Sequence, residues 1–248
     1  EMKEGNELAI VDIGIGHGRQ QLHLLEILAQ QGKLPGRVTI IGVDPDADSL
    51  QRAEALLLEF AAKQQIQLTF HGIAKIAEDV SEEEWVSARG THSHLIVHCA
   101  FALHHIPTHE SRRAALTTIK KLNPALVVLV EPNVDHYELQ LTSRFTNTWR
   151  FFSQVFQVID KTDVLVGVEK EATRSFFGRE IHDIIANAND QRSERHEPVE
   201  TWLGHCAAAG LQTVSPRLHH IPSAIGCRSA MSVQVNDGHI GVLADGKE

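Results

Sequence analysis

The sequence predicts an α/β fold: a doubly wound, mostly parallel sheet with a helical cap insertion between its fifth and sixth strands. Three observations predict it. Apolar runs of strand length alternate with helix-patterned segments through about residue 136. The first run passes through three alternate glycines directly into a helical segment. After Glu131-Pro132-Asn133 the alternation stops and helical spacing takes over to about Ala209.

The elements follow in order. Leu8 to Ile13, apolar except for Asp12, can form a buried strand. The helix after it carries Leu22, Leu24, Leu25, Ile27 and Leu28, an apolar arc wide enough to pack on a sheet. Val38 to Val43 is the second strand, and Ser49 to Lys63 the second helix, with Leu50, Ala53, Leu57, Phe60 and Ala61 at 3.6-residue spacing. Ile66 to Phe70 reads as a third strand, the acidic stretch Ala77 to Trp85 as helical, and His94 to Cys99 as a fourth strand. Ser111 to Leu122 is a helix, and Ala125 to Val130, all aliphatic, a fifth and fully buried strand. In the insertion Phe145, Trp149, Phe152, Val155 and Phe156 recur at helical spacing, a pattern that core packing explains without a ligand. Leu211 to Val214 returns to the sheet. Met231 to Val235 and His239 to Ala244, joined by Asn236-Asp237-Gly238, form a closing hairpin.

The chemistry concentrates at strand ends. Asp12, Gly14, Gly16 and Gly18 form a D-x-G-x-G-x-G turn, closer to the loop of S-adenosylmethionine-dependent methyltransferases than to the dinucleotide G-x-G-x-x-G. Glycines let backbone N–H groups approach a ligand at the start of the next helix, although an ordinary strand-to-helix turn uses them equally well. About thirty residues on, the second strand ends on Asp44-Pro45-Asp46, where Asp44 is placed to take a ribose diol. Asp46 or Asp48 can alternatively cap the next helix. The pairing leads us to expect a Rossmann-like fold of the class I methyltransferase type with S-adenosylmethionine as cofactor, the reading that the family resemblance given below implies. Cys99 and Ala100, ending the fourth strand, would line the cofactor site, and Phe101 the substrate side.

Composition limits the partners. The 248 residues, 42% of them hydrophobic, suffice for a buried sheet, and a net charge of −9 argues against direct nucleic-acid binding. No apolar run reaches eighteen residues and no signal peptide is visible, so no membrane association and a cytoplasmic location are expected. Three cysteines without paired spacing imply reduced thiols. Sixteen histidines crowd in places, notably His92, His94, His98, His104, His105 and His109. Without an H-E-x-x-H motif or a Cys/His quartet, no metal is expected.

For an acceptor, His104 and His105 are candidate proton acceptors and Glu131 a candidate anchor, because a carboxylate ending an apolar strand needs a partner. His105-Ile106-Pro107 can equally be a helix-start turn. Asn133 and His136 follow the same strand end. In the insertion, Glu180 and Asp183 share a helix face, as do Arg179 and His182 or Asp183, which a lid could lower onto substrate. A solvated face with internal ion pairs accounts for the same four residues.

The chain also resembles the GRAS family, known mainly as plant transcriptional regulators but with bacterial members that look like methyltransferases. The resemblance rests on Leu103-His104-His105-Ile106, Leu122-Asn123-Pro124 through Glu131-Pro132-Asn133, Arg144-Phe145, Phe177-Gly178-Arg179-Glu180-Ile181, Glu194-Arg195-His196-Glu197, Trp202 and Ala209-Gly210-Leu211. The N-terminal helical part of plant members and their terminal Ser-Ala-Trp-like strand have no counterpart. Plant members typically lack the intact glycine loop that Gly14, Gly16 and Gly18 form here, so the resemblance implies a bacterial-type methyltransferase. It implies a single domain over residues 1–248, with a core at 1–138, a helical cap at 139–209 and closing strands of the sheet at 210–248. The activity expected is transfer of a methyl group to the hydroxyl or carboxylate of a largely apolar small molecule, with a protein partner possible. The alternative is a catalytically silent module that senses a small molecule and contacts another protein. An NAD-dependent oxidoreductase is disfavoured, since Tyr137 is the only tyrosine and no Tyr-x-x-x-Lys pair exists.

Overall fold

The computed structural model describes residues 7–90, 92, 94–162, 165–213 and 231–244. The chain divides into two compact units, Glu1–Leu103 with Glu110–Glu131, and His104–His109 with Pro132–Glu248.

The first unit is the predicted parallel sheet. Strands β1 (Glu7–Ile13), β2 (Arg37–Val43), β3 (Gln67–Ile73), β4 (Leu95–Ala100) and β5 (Leu126–Val130) lie in the order β3-β2-β1-β4-β5, every pairing parallel. The connections carry helices α1 (Arg19–Gln30), α2 (Ala47–Gln64), α3 (Glu82–Arg89) and α4 (His109–Lys121). The apolar run of β1 is buried because β1 is central, and Leu25, Val38, Ile40, Ala53, Leu57 and Phe60 form a core cluster around the first two helices. Each of the larger side chains contributes about 1.5–3 kcal/mol through burial. The acidic stretch begins α3 only at Glu82, where Ser81 and Glu84 form a reciprocal capping box. Ala77–Asp79 ahead of it is a single 3₁₀ turn.

Three expectations need correction. β5 is half-buried rather than fully buried, with Leu126 exposed, because it is the edge strand beyond β4. The C-terminal hairpin exists, but β6 (Met231–Val235) and β7 (Ile240–Ala244) form their own antiparallel two-stranded sheet instead of closing the parallel one. Leu211 to Thr213 are not a strand, and Val214 lies outside the described residues.

The second unit holds α5 (Leu141–Lys161), α6 (Gly167–Ala186), α7 (Val199–Ala208) and this hairpin. α5 and α6 pack together. Arg144 is buried between them, donating from Nε to the Ile184 carbonyl and from Nη1 to that of Glu138. Asn133 Oδ1 accepts the Val199 N–H, satisfying one of the orphan donors at the start of α7. No described helix is long and apolar enough to cross a membrane.

Candidate functional site

In the first unit the glycine turn takes the conformation its residues predict. Gly14, Gly16 and Gly18 have φ of 79°, 52° and 72°, in the left-handed region that favours glycine. A Cβ on Gly14 would sit 2.7 Å from the Cβ of Ala102, so the loop and the segment after β4 approach more closely than any side chain allows. A Cβ on Gly16 would meet nothing within 4 Å.

The loop's donors, however, are largely engaged within the protein. Gly14 and Ile15 donate to the Val43 carbonyl at 2.8 and 3.4 Å, and Gly18 to the Ile15 carbonyl at 3.0 Å. Gly16 donates to Asp44 Oδ2 at 2.9 Å, and Asp46 N–H to Asp44 Oδ1 at 2.9 Å. Asp44 therefore staples the end of β2 across the glycine turn. Asp46 caps α2, accepting from Asp48 N–H and the Ser49 hydroxyl, which hold its carboxyl below the usual range. Asp12, almost fully buried, accepts from Gln21 Nε2 at 2.8 Å and lies 2.8 Å from His98 Nδ1. Cys99 and Ala100 are buried in β4, opposite β1, whereas Phe101 is 58% exposed at φ 53°, an uncommon conformation for a bulky residue. Glu131 accepts the Leu103 N–H at 2.9 Å, the partner that a carboxylate ending an apolar strand requires.

The second unit gathers a different set of side chains. His104 Nε2 lies 3.1 Å and His196 Nε2 3.6 Å from Glu194 Oε2, and His105 Nδ1 lies 3.8 Å from Glu194 Oε1. The His104 ring packs against those of His105 and His196, both with centroids 4.1 Å away. Asp183 positions Glu194: its carboxylate accepts the N–H groups of Ser193 and Glu194 and the side-chain amide of Asn187. Glu180 faces the same group, and burial together with the negative charge of Glu194 pushes its carboxyl up to about 7. His136 Nδ1 lies 2.8 Å from His196 Nδ1, and its ring stacks on Phe152. Burial and the nearby Arg192 drive His136 down to about 3, so it is neutral at physiological pH. A second triad joins His109 Nε2 to Glu197 Oε1 at 2.6 Å and His205 Nε2 to Glu197 Oε2 at 3.0 Å.

Of the predicted residues, His104, His105, His136 and Glu180 are brought together in this unit. Asp12, Gly14, Gly16, Gly18, Asp44, Cys99, Ala100, Phe101 and Glu131 belong to the first. Asn133 caps a helix, Asp183 braces a loop, His182 is exposed, and Arg179, also exposed, lies over the Phe176 ring. Sequence reasoning missed Glu194, His196, Glu197, His109 and His205 as site residues. The available signal was ligand-type residues clustered at Glu194-Arg195-His196-Glu197 and at His104-His105 with His109.

Comparisons with known proteins fit this architecture. The model of the GRAS domain family matches residues 1–221. Scarecrow-like protein 1 of Arabidopsis thaliana is 30% identical over 84% of this chain and 37% of its own length. The Scarecrow-like transcription factor PAT1 of the same plant is 28% identical over 84% of this chain and 45% of its own, and DELLA protein RGL3 25% identical over 83% and 40%. The chain thus spans less than half the length of these relatives. The crystal structure of SCL7 from Oryza sativa shares the fold, with a TM-score of 0.81 at 21% identity over 97% of this chain and 71% of that one. These names overturn the expected methyltransferase: the curated relatives are Scarecrow-like and DELLA proteins, one named a transcription factor, and none of these is named an enzyme. The engagement of Asp44 and Glu131 by backbone donors accords with that correction. The chain belongs to the GRAS domain family.

Proposed function

We propose that this chain is a non-catalytic GRAS module that docks another protein through α5 and keeps the glycine loop as a small-molecule site. One observation carries the reading. Leu141, Phe145 and Trp149, spaced four residues apart on one face of α5, are 53%, 53% and 68% exposed. Arg144, Thr148, Phe152 and Ile159, on the same and adjoining arc of the helix, are buried, so the stripe is uncovered chiefly toward the start of α5. An exposed apolar stripe about 12 Å long, ending in a tryptophan, suits an amphipathic partner helix laid along it, and aromatic anchors dominate such interfaces. The name of the relative that is a transcription factor supports a regulatory role built on protein contact.

The small-molecule part rests on the glycine turn, the feature by which the chain resembles bacterial family members. Space is open above Gly16, and the half-buried Asp44 carboxylate has lone pairs beyond the two its backbone donors take. S-adenosylmethionine is the ligand to test, bound without turnover.

The test pairs the native chain with the double variant Phe145→Asp, Trp149→Asp as baits. The variant should lose specific partners while keeping its stability within about 0.5 kcal/mol, as exposed substitutions do. A purified partner should then protect residues 141–153 from hydrogen exchange. Equal capture by both baits overturns the docking reading. Calorimetry with S-adenosylmethionine tests the ligand: binding without methyl release supports the module, and methyl transfer to an acceptor refutes it.

A further inference from the structure

We infer that the second unit binds a divalent cation of the zinc class at Glu194, with His104, His196 and Glu180 as its companions and the half-exposed His105 at the rim. The ligand atoms of His104, His105 and Glu194 lie within 4.8 Å of one another, as do those of Glu180, Glu194 and His196. Zinc holds nitrogen and carboxylate oxygen at about 2.0–2.2 Å in a tetrahedron, which sets ligand atoms about 3.3–3.6 Å apart. The contacts to Glu194, at 3.1, 3.6 and 3.8 Å, bracket that spacing. Glu194 Oε2 is buried, and no donor meets it in hydrogen-bond geometry.

The neighbouring triad supplies an internal contrast. Its contacts to Glu197, 2.6 and 3.0 Å, are shorter than the ligand spacing of a tetrahedral zinc site, and the one to His205 is a hydrogen bond. One further feature favours a cation at Glu194 specifically. Glu180 and Glu194 bring two carboxylates within 4.8 Å of each other beside the buried His196. A divalent ion would neutralise both. Mixed imidazole and carboxylate donors suit zinc over calcium or magnesium, which take oxygen almost exclusively. The ion would tie residues 104–109 to α6 and the loop at 187–198, a structural clamp within one unit.

The experiment uses the full chain stripped with a chelator and titrated with Zn2+ against a chromophoric competitor, with Co2+ absorption as a second readout. About one zinc per chain should bind, with tetrahedral Co2+ bands and a higher Tm. Glu194→Gln should weaken zinc at least about tenfold and abolish the bands, whereas His109→Ala should keep both. If Glu194→Gln misfolds by circular dichroism, Glu180→Gln and His105→Ala take its place and should each lower the affinity. Full affinity in these variants, loss in His109→Ala alone, or no zinc held against the competitor overturns the inference.

Discussion

The glycine turn of the first unit and the histidine–carboxylate cluster of the second each concentrate polar groups at the ends of secondary structure, but they satisfy them differently. At the turn, Asp44 and Glu131 accept backbone N–H groups at 2.9 Å, and Asp12 takes the Gln21 amide and contacts His98. In the cluster, Glu194 and Glu180 face imidazoles and each other. Backbone donors do not titrate and hardly move, so the first arrangement should be the stiffer of the two. Imidazoles change charge near neutrality, so the second should respond to protons and cations. Strand ends that look catalytic can thus be structural staples, while residues without a ligand motif can assemble a responsive site.

The largest effect should come from His136. Its pKa falls from 6.5 in the unfolded chain to about 3 in the fold, so the native state must keep it neutral. The stability this confers is present above pH 6.5 and is lost as pH falls toward 3, on the order of 3–5 kcal/mol in all. Chelator-treated protein should show this loss in urea unfolding at stepped pH, and His136→Phe should flatten it. A slope unchanged in His136→Phe would assign the acid sensitivity elsewhere and remove half of the contrast.

Gly14→Val probes the stiff side. It forces a β-branched residue to φ 79° with its Cβ 2.7 Å from that of Ala102, which should cost about 2–4 kcal/mol in thermal or urea unfolding. Asp44→Ala leaves the Gly16 and Asp46 N–H groups without their acceptor and should cost about 1–2 kcal/mol, whereas Asp44→Asn, which keeps an acceptor oxygen, should cost less. The smallest effect is expected for Gly16→Ala, where open space leaves only the backbone penalty of about 1 kcal/mol. A Gly16→Ala loss as large as that of Gly14→Val would mean that φ alone, rather than close packing, sets the rigidity of the turn.

Much of the fold was legible because its signals are local. β1 and β2 read as strands from their largely apolar runs, α2 from the stripe Leu50, Ala53, Leu57 and Phe60, and the hairpin from Asn236-Asp237-Gly238. Misreadings arose where neighbours decide. The composition of β5 is that of a central strand, yet nothing pairs beyond it among the described residues, and β6 pairs with β7 rather than with the parallel sheet.

The sequence by itself determined the alternation of strands and helices, the turn after β1, the family resemblance and the presence of His104, His105, Glu180 and His136 as polar candidates. Only the tertiary structure decided what those residues do. That Asp44 staples Gly16 depends on where a backbone 28 residues away comes to rest. That Glu194 meets His104, 90 positions earlier, depends on a chain reversal that no local pattern encodes. Helical and strand periodicity report which face of an element is apolar, and hydrogen bonds reach about 3 Å. The identity of a buried carboxylate's partner is therefore a property of long-range packing, invisible until the elements that carry the two groups are assembled.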